Sequence, residues 1–176
     1  MNTEVMARGA DKVSAAVVAL HKRYEEGELT LAQFKALARA ELVRAQARGI
    51  ALASLGVAAD LTRLRKSVVP ATGLSLPESA ESSASALVQS TIDGEPYKLD
   101  PLAAIAVMGS AHYLEAVQEA TGRALESHGA RYWVRVLNEG ACELCEILAE
   151  DTLPASATMY HHKGCGCSQQ PVDEKE

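Results

Sequence analysis

The sequence has few aromatic side chains, with one tryptophan, one phenylalanine and five tyrosines among its 176 residues. Alanine supplies much of the apolar content instead, so the interior must be built by close approach of helices rather than by bulky side chains. No apolar run reaches the roughly 20 residues that a membrane-spanning helix needs, because the longest one, 49–59, is about half that length. These absences predict a mainly α-helical protein with a thin core and no membrane segment.

The chain also lacks an excess of positive charge. It has 17 basic and 23 acidic residues and a formal net charge of −6, which argues against a general nucleic-acid or membrane-surface binder. The charge is unevenly distributed: residues 1–70 hold eleven basic and seven acidic residues, or +4, while residues 71–176 hold six and sixteen, or −10. The two halves are therefore expected to face different partners.

Cysteine is absent from the first 141 residues, and all four cysteines lie between positions 142 and 167. The apolar run 13–20 leads directly into charged residues, so a secretory signal is not expected and the thiols are assigned to a reducing compartment. Thiols that are grouped in such a compartment favour metal binding over disulfide formation.

The first part of the chain shows the apolar periodicity of long helices. Residues 3–26 place apolar side chains at helical spacing, with charged residues between them. Thr30 and Gln33 form a capping box that starts a second helix, which is predicted to reach about Lys66. Small residues along this second helix, Gly49 among them, predict the close approach of a neighbouring backbone. Residues up to position 66 are therefore interpreted as an alanine-rich helical body, 1–66.

The composition changes after this body. Residues 67–99 are predicted to form a linker, because serine, alanine, proline and glycine become frequent, and a short helix is predicted after Pro77. Asp100 followed by Pro101 is a helix start, since the aspartate can cap the first turn and proline fits it. A further long helix is therefore predicted over 100–129.

The pattern changes again in the C-terminal unit, 130–176. Residues 132–137 alternate with the two-residue period of a strand. A short helix is predicted over 142–150, an irregular or extended return over 153–160, and a last strand over 167–172. Such a strand, helix, strand unit buries too little apolar surface to be stable without a staple or a neighbour.

The basic residues of the second helix raise the alternative of a nucleic-acid surface. At about 100° per residue, Arg44 and Arg48 lie on the side opposite Lys35 and Arg39, so a straight helix offers no single basic stripe. A solvated face that leaves room for an acidic protein partner is favoured instead.

The C-terminal unit contains the residue types that bind zinc, which prefers four thiolate or imidazole ligands in a tetrahedron. Five candidates compete for the four positions. Three of them, the two thiols of a Cys-x-x-Cys knuckle and the histidine of a His-x-x-Cys-x-Cys second half, are favoured. One or both of the last two thiols complete the set, and spacing leaves that choice open. The candidate ligands are Cys142, Cys145, His162, Cys165 and Cys167.

Three other interpretations of this cluster are less favoured. A redox dithiol is disfavoured because the sheet context of a thioredoxin-like protein is missing. A hydrolytic zinc would use His161, His162 and a carboxylate, for which Glu143, Glu146 and Asp151 are candidates. Thiolate-rich ligand sets make zinc a poor Lewis acid, however, and a Cys–His nucleophile would lack an orienting third group. A structural site with no catalytic residues is therefore favoured, and His161 is the less favoured histidine.

The same residues carry a family resemblance. They resemble the C-terminal motif of phage Mu F-like minor head proteins, particularly the versions found in phages of actinobacteria. Lys163 and Gly164 stand where that family usually has proline and asparagine. The matching segments are the strand WVRVL at 133–137, the knuckle segment 141–148, the sequence HKGCGC at 162–167, and Pro171 with Val172.

The resemblance implies a non-enzymatic virion or prohead protein, made in the host cytoplasm and acting at or near the portal during head assembly. Its implied partners are the portal protein and the major capsid or scaffold protein, and a homo-oligomer is also considered. The cofactor expected from the Cys/His spacing itself is a structural zinc ion in the C-terminal unit. A small zinc-dependent hydrolase or nuclease and a zinc-ribbon nucleic-acid-binding module are the alternatives, the latter disfavoured by the acidic C-terminal half.

Overall fold

Three long helices and one short helix occupy the regions where helical periodicity predicts them. The computed structural model describes residues 3–93 and 100–173 and shows a mainly helical chain that ends in a small antiparallel sheet. Within these residues, no helix combines the length and the apolar character needed to cross a membrane. The helices are α1 (Thr3–Glu25), α2 (Leu31–Arg65), α3 (Ala80–Ile92) and α4 (Pro101–Ser127).

Cap residues define the ends of α2 and the start of α4. The hydroxyl of Thr30 accepts a hydrogen bond from the backbone N–H of Gln33, and the Gln33 side chain accepts one from the N–H of Thr30. Two free amides of the first turn are thereby satisfied. Lys66 ends α2 in the left-handed conformation, and Asp100 starts α4 by accepting from the N–H of Ala103 at 3.1 Å. The predicted capping box and the predicted start at Asp100 are confirmed.

The predicted linker contains a helix that packs on the helical body. The buried side chains of α3 join the core that α2 and α4 form, and Lys35 of α2 donates a hydrogen bond to Gln89 of α3. The predicted short helix is confirmed and begins at Ala80. Proline is often found in the first turn of a helix, but Pro77 lies three residues before this one. Residues 94–99 of the predicted linker lie outside the described residues.

Glycines allow α4 to approach both α1 and α2. Tyr113 of α4 is buried, and its ring lies so close to Gly9 of α1 that a Cβ there would be 2.2 Å from the tyrosine oxygen. At Gly49 of α2, a Cβ would be 2.8 Å from the Tyr113 ring and 2.6 Å from Val117 Cγ2. The sequence predicts that a neighbouring backbone approaches Gly49. The structure places side chains of α4 there instead, because a helix face without a Cβ also accommodates a ring.

Replacing Gly49 by alanine is expected to lower the free energy of unfolding by about 1–3 kcal/mol, because the new methyl group overpacks the contact with Val117 and Tyr113. Gly122→Ala in α4 is the matched control. Its Cβ would meet its nearest atom at 3.6 Å, so helix propensity should make this change neutral or stabilising by up to about 1 kcal/mol. Urea unfolding measures both variants. Equal effects of the two substitutions would contradict this packing.

The C-terminal unit forms a three-stranded antiparallel sheet in the order β2-β1-β3. The strands are β1 (Tyr132–Val136), β2 (Thr152–Pro154) and β3 (Ser168–Val172), and a short helix, α5 (Glu143–Ile147), lies between β1 and β2. The two predicted strands and the predicted helix are confirmed, the helix in a shorter form. β2 adds a strand where an irregular or extended return was predicted, so the unit reads strand, helix, strand, strand. Residues 174–176 lie outside the described residues.

Trp133 connects this sheet to the helices. It is fully buried on β1, where its backbone partner on β3 is Pro171. It belongs to an apolar cluster that also contains Val57 near the end of α2 and Leu125 near the end of α4. The sequence predicts that the unit needs a staple or a neighbour, and the structure supplies the neighbour.

Candidate metal centre

The structure brings the five predicted ligands together where α5 meets the turn that precedes β3. Cys142 is the N-cap residue of α5 and Cys145 lies in its first turn, so their thiols are adjacent. The turn that precedes β3 is closed by a hydrogen bond of 3.0 Å from the N–H of Cys165 to the carbonyl of His162. Gly164 within it has a φ of 80°, a conformation that residues with a side chain rarely adopt.

Cys145 occupies the centre of the cluster. Its Sγ lies 3.7 Å from His162 Nε2 and 3.7 Å from Cys165 Sγ, and the Sγ of Cys142 lies 3.3 Å from the same imidazole nitrogen. Two groups that could hold a metal ion therefore overlap at Cys145, each with all its ligand atoms within 4.8 Å of one another. The first trio is Cys142, Cys145 and His162; the second trio is Cys145, Cys165 and Cys167.

These distances fit the edges of a tetrahedron around one ion. Metal–sulfur bonds of about 2.3 Å and metal–nitrogen bonds of about 2.0 Å give sulfur–sulfur edges of roughly 3.8 Å and sulfur–nitrogen edges of roughly 3.5 Å. The distance from Cys145 Sγ to Cys165 Sγ is 3.7 Å, and the two distances to His162 Nε2 are 3.3 and 3.7 Å. All four cysteines are free thiols. The distances around Cys145 therefore match edges of such a tetrahedron, and the candidate ligand atoms that all lie within 4.8 Å of one another form trios, not a set of four.

His162 presents the correct nitrogen to the thiols. Its Nδ1 lies 3.2 Å from the backbone carbonyl of Lys163, which can accept a proton held on Nδ1. The lone pair of Nε2 then faces Cys142 and Cys145, an arrangement that is common among metal-binding histidines. His161 belongs to neither trio and instead lines a cavity beside α4.

A buried arginine of the cluster was missed by the sequence analysis. Arg135 on β1 is only 6% exposed, and its Nη1 lies 3.8 Å from Cys145 Sγ and 3.9 Å from Cys165 Sγ. Its Nη2 donates to the carbonyl of Tyr160. Because a guanidinium stays charged in proteins, it offsets negative charge on the sulfurs. The strand period offered a signal, since Arg135 shares the buried face of β1 with Trp133, where charged residues are rare.

Two polar side chains distinguish Cys165 from Cys167. Gln118, buried on α4, donates from Nε2 to the carbonyls of Cys165 at 2.7 Å and Cys167 at 2.9 Å, which holds the turn against the helix. The thiol of Cys167 donates to Asn138 Oδ1 at 3.1 Å. The thiol of Cys165 faces Cys145 and Arg135, and the sulfur of Cys167 also lies within 4.8 Å of the Cys145 and Cys165 sulfurs.

The surroundings of Cys142 and Cys145 shift the pKa values of their thiols in opposite directions. The backbone N–H of Cys145, helped by the nearby Cys145 and His162 side chains, lowers the pKa of the exposed Cys142 thiol. Burial, followed by the neighbouring thiols, raises the pKa of Cys145 well above its usual range. Even with the Arg135 guanidinium nearby, Cys145 therefore remains a thiol unless a metal ion stabilises its thiolate.

Carboxylates do not contribute to either trio. Glu143, Glu146 and Asp151, the candidates for a hydrolytic role, are exposed on α5 and the turn after it. The groups that face a metal are thus thiols and one imidazole, which can bind an ion but offer no carboxylate base next to it.

Comparison with known proteins identifies no family for this chain. No protein-family model, no curated protein and no solved structure matches the chain. The structure itself defines a mainly helical protein whose small C-terminal sheet carries a Cys/His cluster that could hold a metal ion.

Proposed function

We propose that this chain is a minor head protein of a phage, of the Mu F-like type, and that its Cys/His cluster binds a structural zinc ion. The observation that carries the proposal is the pairing of a Cys-x-x-Cys knuckle with a His-x-x-Cys-x-Cys turn, each next to a strand. Strand, knuckle, closing turn and last strand follow one another in the order of the motif that the sequence resembles.

Zinc is the metal that suits this set of ligands, because it combines thiolate and imidazole ligands in tetrahedral sites. The ligands would be Cys142, Cys145, His162 and Cys165. Cys165 is preferred to Cys167 as the fourth ligand, since the thiol of Cys167 is hydrogen-bonded to Asn138. Four protein ligands leave no position for water, which suits a structural role rather than a catalytic one.

Such an ion would stabilise the weakest part of the C-terminal unit. α5 has five residues, too few to be stable as an isolated helix. The zinc would join α5 to the turn before β3, and β3 is already held by β1. The C-terminal unit would thereby become a rigid element for docking to another head protein.

Replacing Cys165 by serine is expected to weaken zinc binding by more than about 100-fold, beyond the losses typical of residues that only support the ligands. Cys167→Ser is the matched control, because a hydroxyl can still donate to Asn138, and it should retain one zinc per chain. Metal analysis and competition with a chromogenic chelator measure both variants. Retention of zinc by Cys165→Ser together with its loss from Cys167→Ser would reverse this ligand assignment.

The proposed role places the helical body and the acidic C-terminal half against different head proteins, namely the portal and the major capsid or scaffold protein. Proheads purified from the host that makes this chain should contain it, and capture of the tagged chain should recover portal or capsid protein. Cys145→Ser, which removes the ligand shared by both trios, should reduce both results. Repeated capture without any head protein, from cells with abundant proheads, would contradict the proposal.

The alternative functions have less support. A zinc hydrolase or nuclease would need a carboxylate near the ion, and neither trio includes one. A nucleic-acid-binding ribbon would have to overcome five acidic side chains within 139–151 and no basic one.

A further inference from the structure

The surface of α5 combines exposed apolar side chains with negative charge. Leu144 and Ile147 are 43% and 57% exposed, and because they are three residues apart they lie on the same face of the helix. Glu143, Glu146 and Glu150 lie beside them, and none forms an ion pair within residues 3–93 and 100–173. We call these five residues the α5 ridge.

A second surface, between α1 and α2, has the opposite charge. It is a cavity of about 290 Å³ with an apolar floor and an exposed leucine at its edge. Three basic side chains line it, one of which, Arg8, also pairs with Glu4 at 3.8 Å, and its one acidic residue forms an ion pair with Arg44. We call it the α1–α2 groove. Its floor is Val13, Ala45 and Tyr113, its basic residues are Arg8, Lys12 and Arg48, the leucine is Leu52, and the acidic residue is Glu41.

The two surfaces are complementary in size and charge. A cavity of about 150 Å³ is large enough for a benzene molecule, so the groove can accept two aliphatic side chains such as Leu144 and Ile147. Three glutamates would then face Lys12, Arg48 and Arg8, the last of which also pairs with Glu4. Opposite potentials favour this pairing, and like charges oppose the contact of two ridges or of two grooves.

In one chain, the C-terminal unit that carries the ridge packs on a later part of α2 than the groove. The C-terminal unit packs against the end of α2 at Val57 and Leu61, whereas Arg48 of the groove lies earlier on the same helix. The nine steps from Arg48 to Val57 and the thirteen to Leu61 correspond to roughly 14 and 20 Å at 1.5 Å per residue. A second copy of the chain is therefore taken as the partner of each surface.

We propose that the α5 ridge of one chain docks into the α1–α2 groove of a second copy. The contact joins two different surfaces, so repetition gives a closed ring or a reciprocal pair when the geometry closes, and a chain of molecules when it does not. The inference stands on these surfaces and does not depend on the proposed function.

Sedimentation equilibrium of complementary charge variants tests this contact. Wild type should show a mass that rises with concentration and falls with added salt. The ridge variant Glu143→Lys/Glu146→Lys and the groove variant Arg8→Glu/Arg48→Glu should each associate roughly 100-fold more weakly, because like charges then face each other. An equimolar mixture of the two variants should recover association, since each new charge meets its opposite.

A control with the same change in net charge is Glu78→Lys/Glu81→Lys, which alters exposed residues at the start of α3 and should associate like wild type. Circular dichroism and metal content verify that each variant is folded. The groove variant changes α1 and α2, outside the unit that contains the cysteines, so it keeps the test decisive if the ridge variant loses metal. A wild-type chain that stays monomeric up to about 1 mM, or a mixture that does not recover association, would overturn the proposal.

Discussion

Removal of the proposed zinc ion is expected to unfold α5 and the turn before β3 while α1, α2 and α4 stay helical. Structural zinc sites supply about 10–16 kcal/mol of apparent binding free energy in small peptides, and here that energy would stabilise a unit with little core of its own. Cys145→Ser should have the same effect as a strong chelator, because Cys145 is the ligand common to both trios. This is the largest change expected from a single side chain.

Trp133 provides the measurement, because it is the only tryptophan and is fully buried where β1 meets the helices. Its fluorescence should shift to the red as chelator is added, and amide exchange should accelerate over 143–148 and 160–167. Far-ultraviolet circular dichroism should change little, since most helical residues lie elsewhere. In Cys145→Ser the chelator should have no further effect. Protected amides and freely reactive thiols in excess chelator would show that no ion supports this unit.

Local signals were sufficient to predict the helices. The capping box at Thr30, the Asp100 start and the apolar stripes act within a few residues of the structure that they specify. The same holds for β1, where alternation is carried by five consecutive residues. Cys142 and Cys145 were predictable as a pair because their spacing alone brings two thiols together at the start of a helix.

Non-local contacts decided the features that were missed. β2 has three residues and ends in Pro154, so it has no periodicity of its own and exists because Thr152–Pro154 pairs with β1. The roles of Gln118 and Asn138 depend on residues far away in the sequence, which no local pattern encodes. The sequence identifies Arg135 only as a strand residue, because its contacts with the cluster are with two sulfurs on other segments.

Replacing Arg135 by methionine is expected to lower the stability of the metal-bound protein by about 3–5 kcal/mol, because the negative charge on the buried sulfurs loses its partner. In the metal-free protein the Cys145 pKa is raised, so that sulfur is a neutral thiol and Arg135 has less charge to offset. Methionine should then be nearly neutral or even stabilising, since a buried arginine carries a large desolvation cost. The difference between the two states, not either value alone, identifies the role of the guanidinium.

Urea unfolding of wild type and Arg135→Met, each with and without zinc, measures this cycle. Arg135→Lys is the matched control: it keeps the charge, but an ammonium lacks the planar fork that contacts two sulfurs and the carbonyl of Tyr160 together. Its loss in the metal-bound state should be intermediate. An equal loss for Arg135→Met in both states would mean that the arginine acts through packing alone. A loss confined to the metal-bound state means that the charge on β1 and the ion at α5 stabilise each other, so the sheet and the cluster form one cooperative unit.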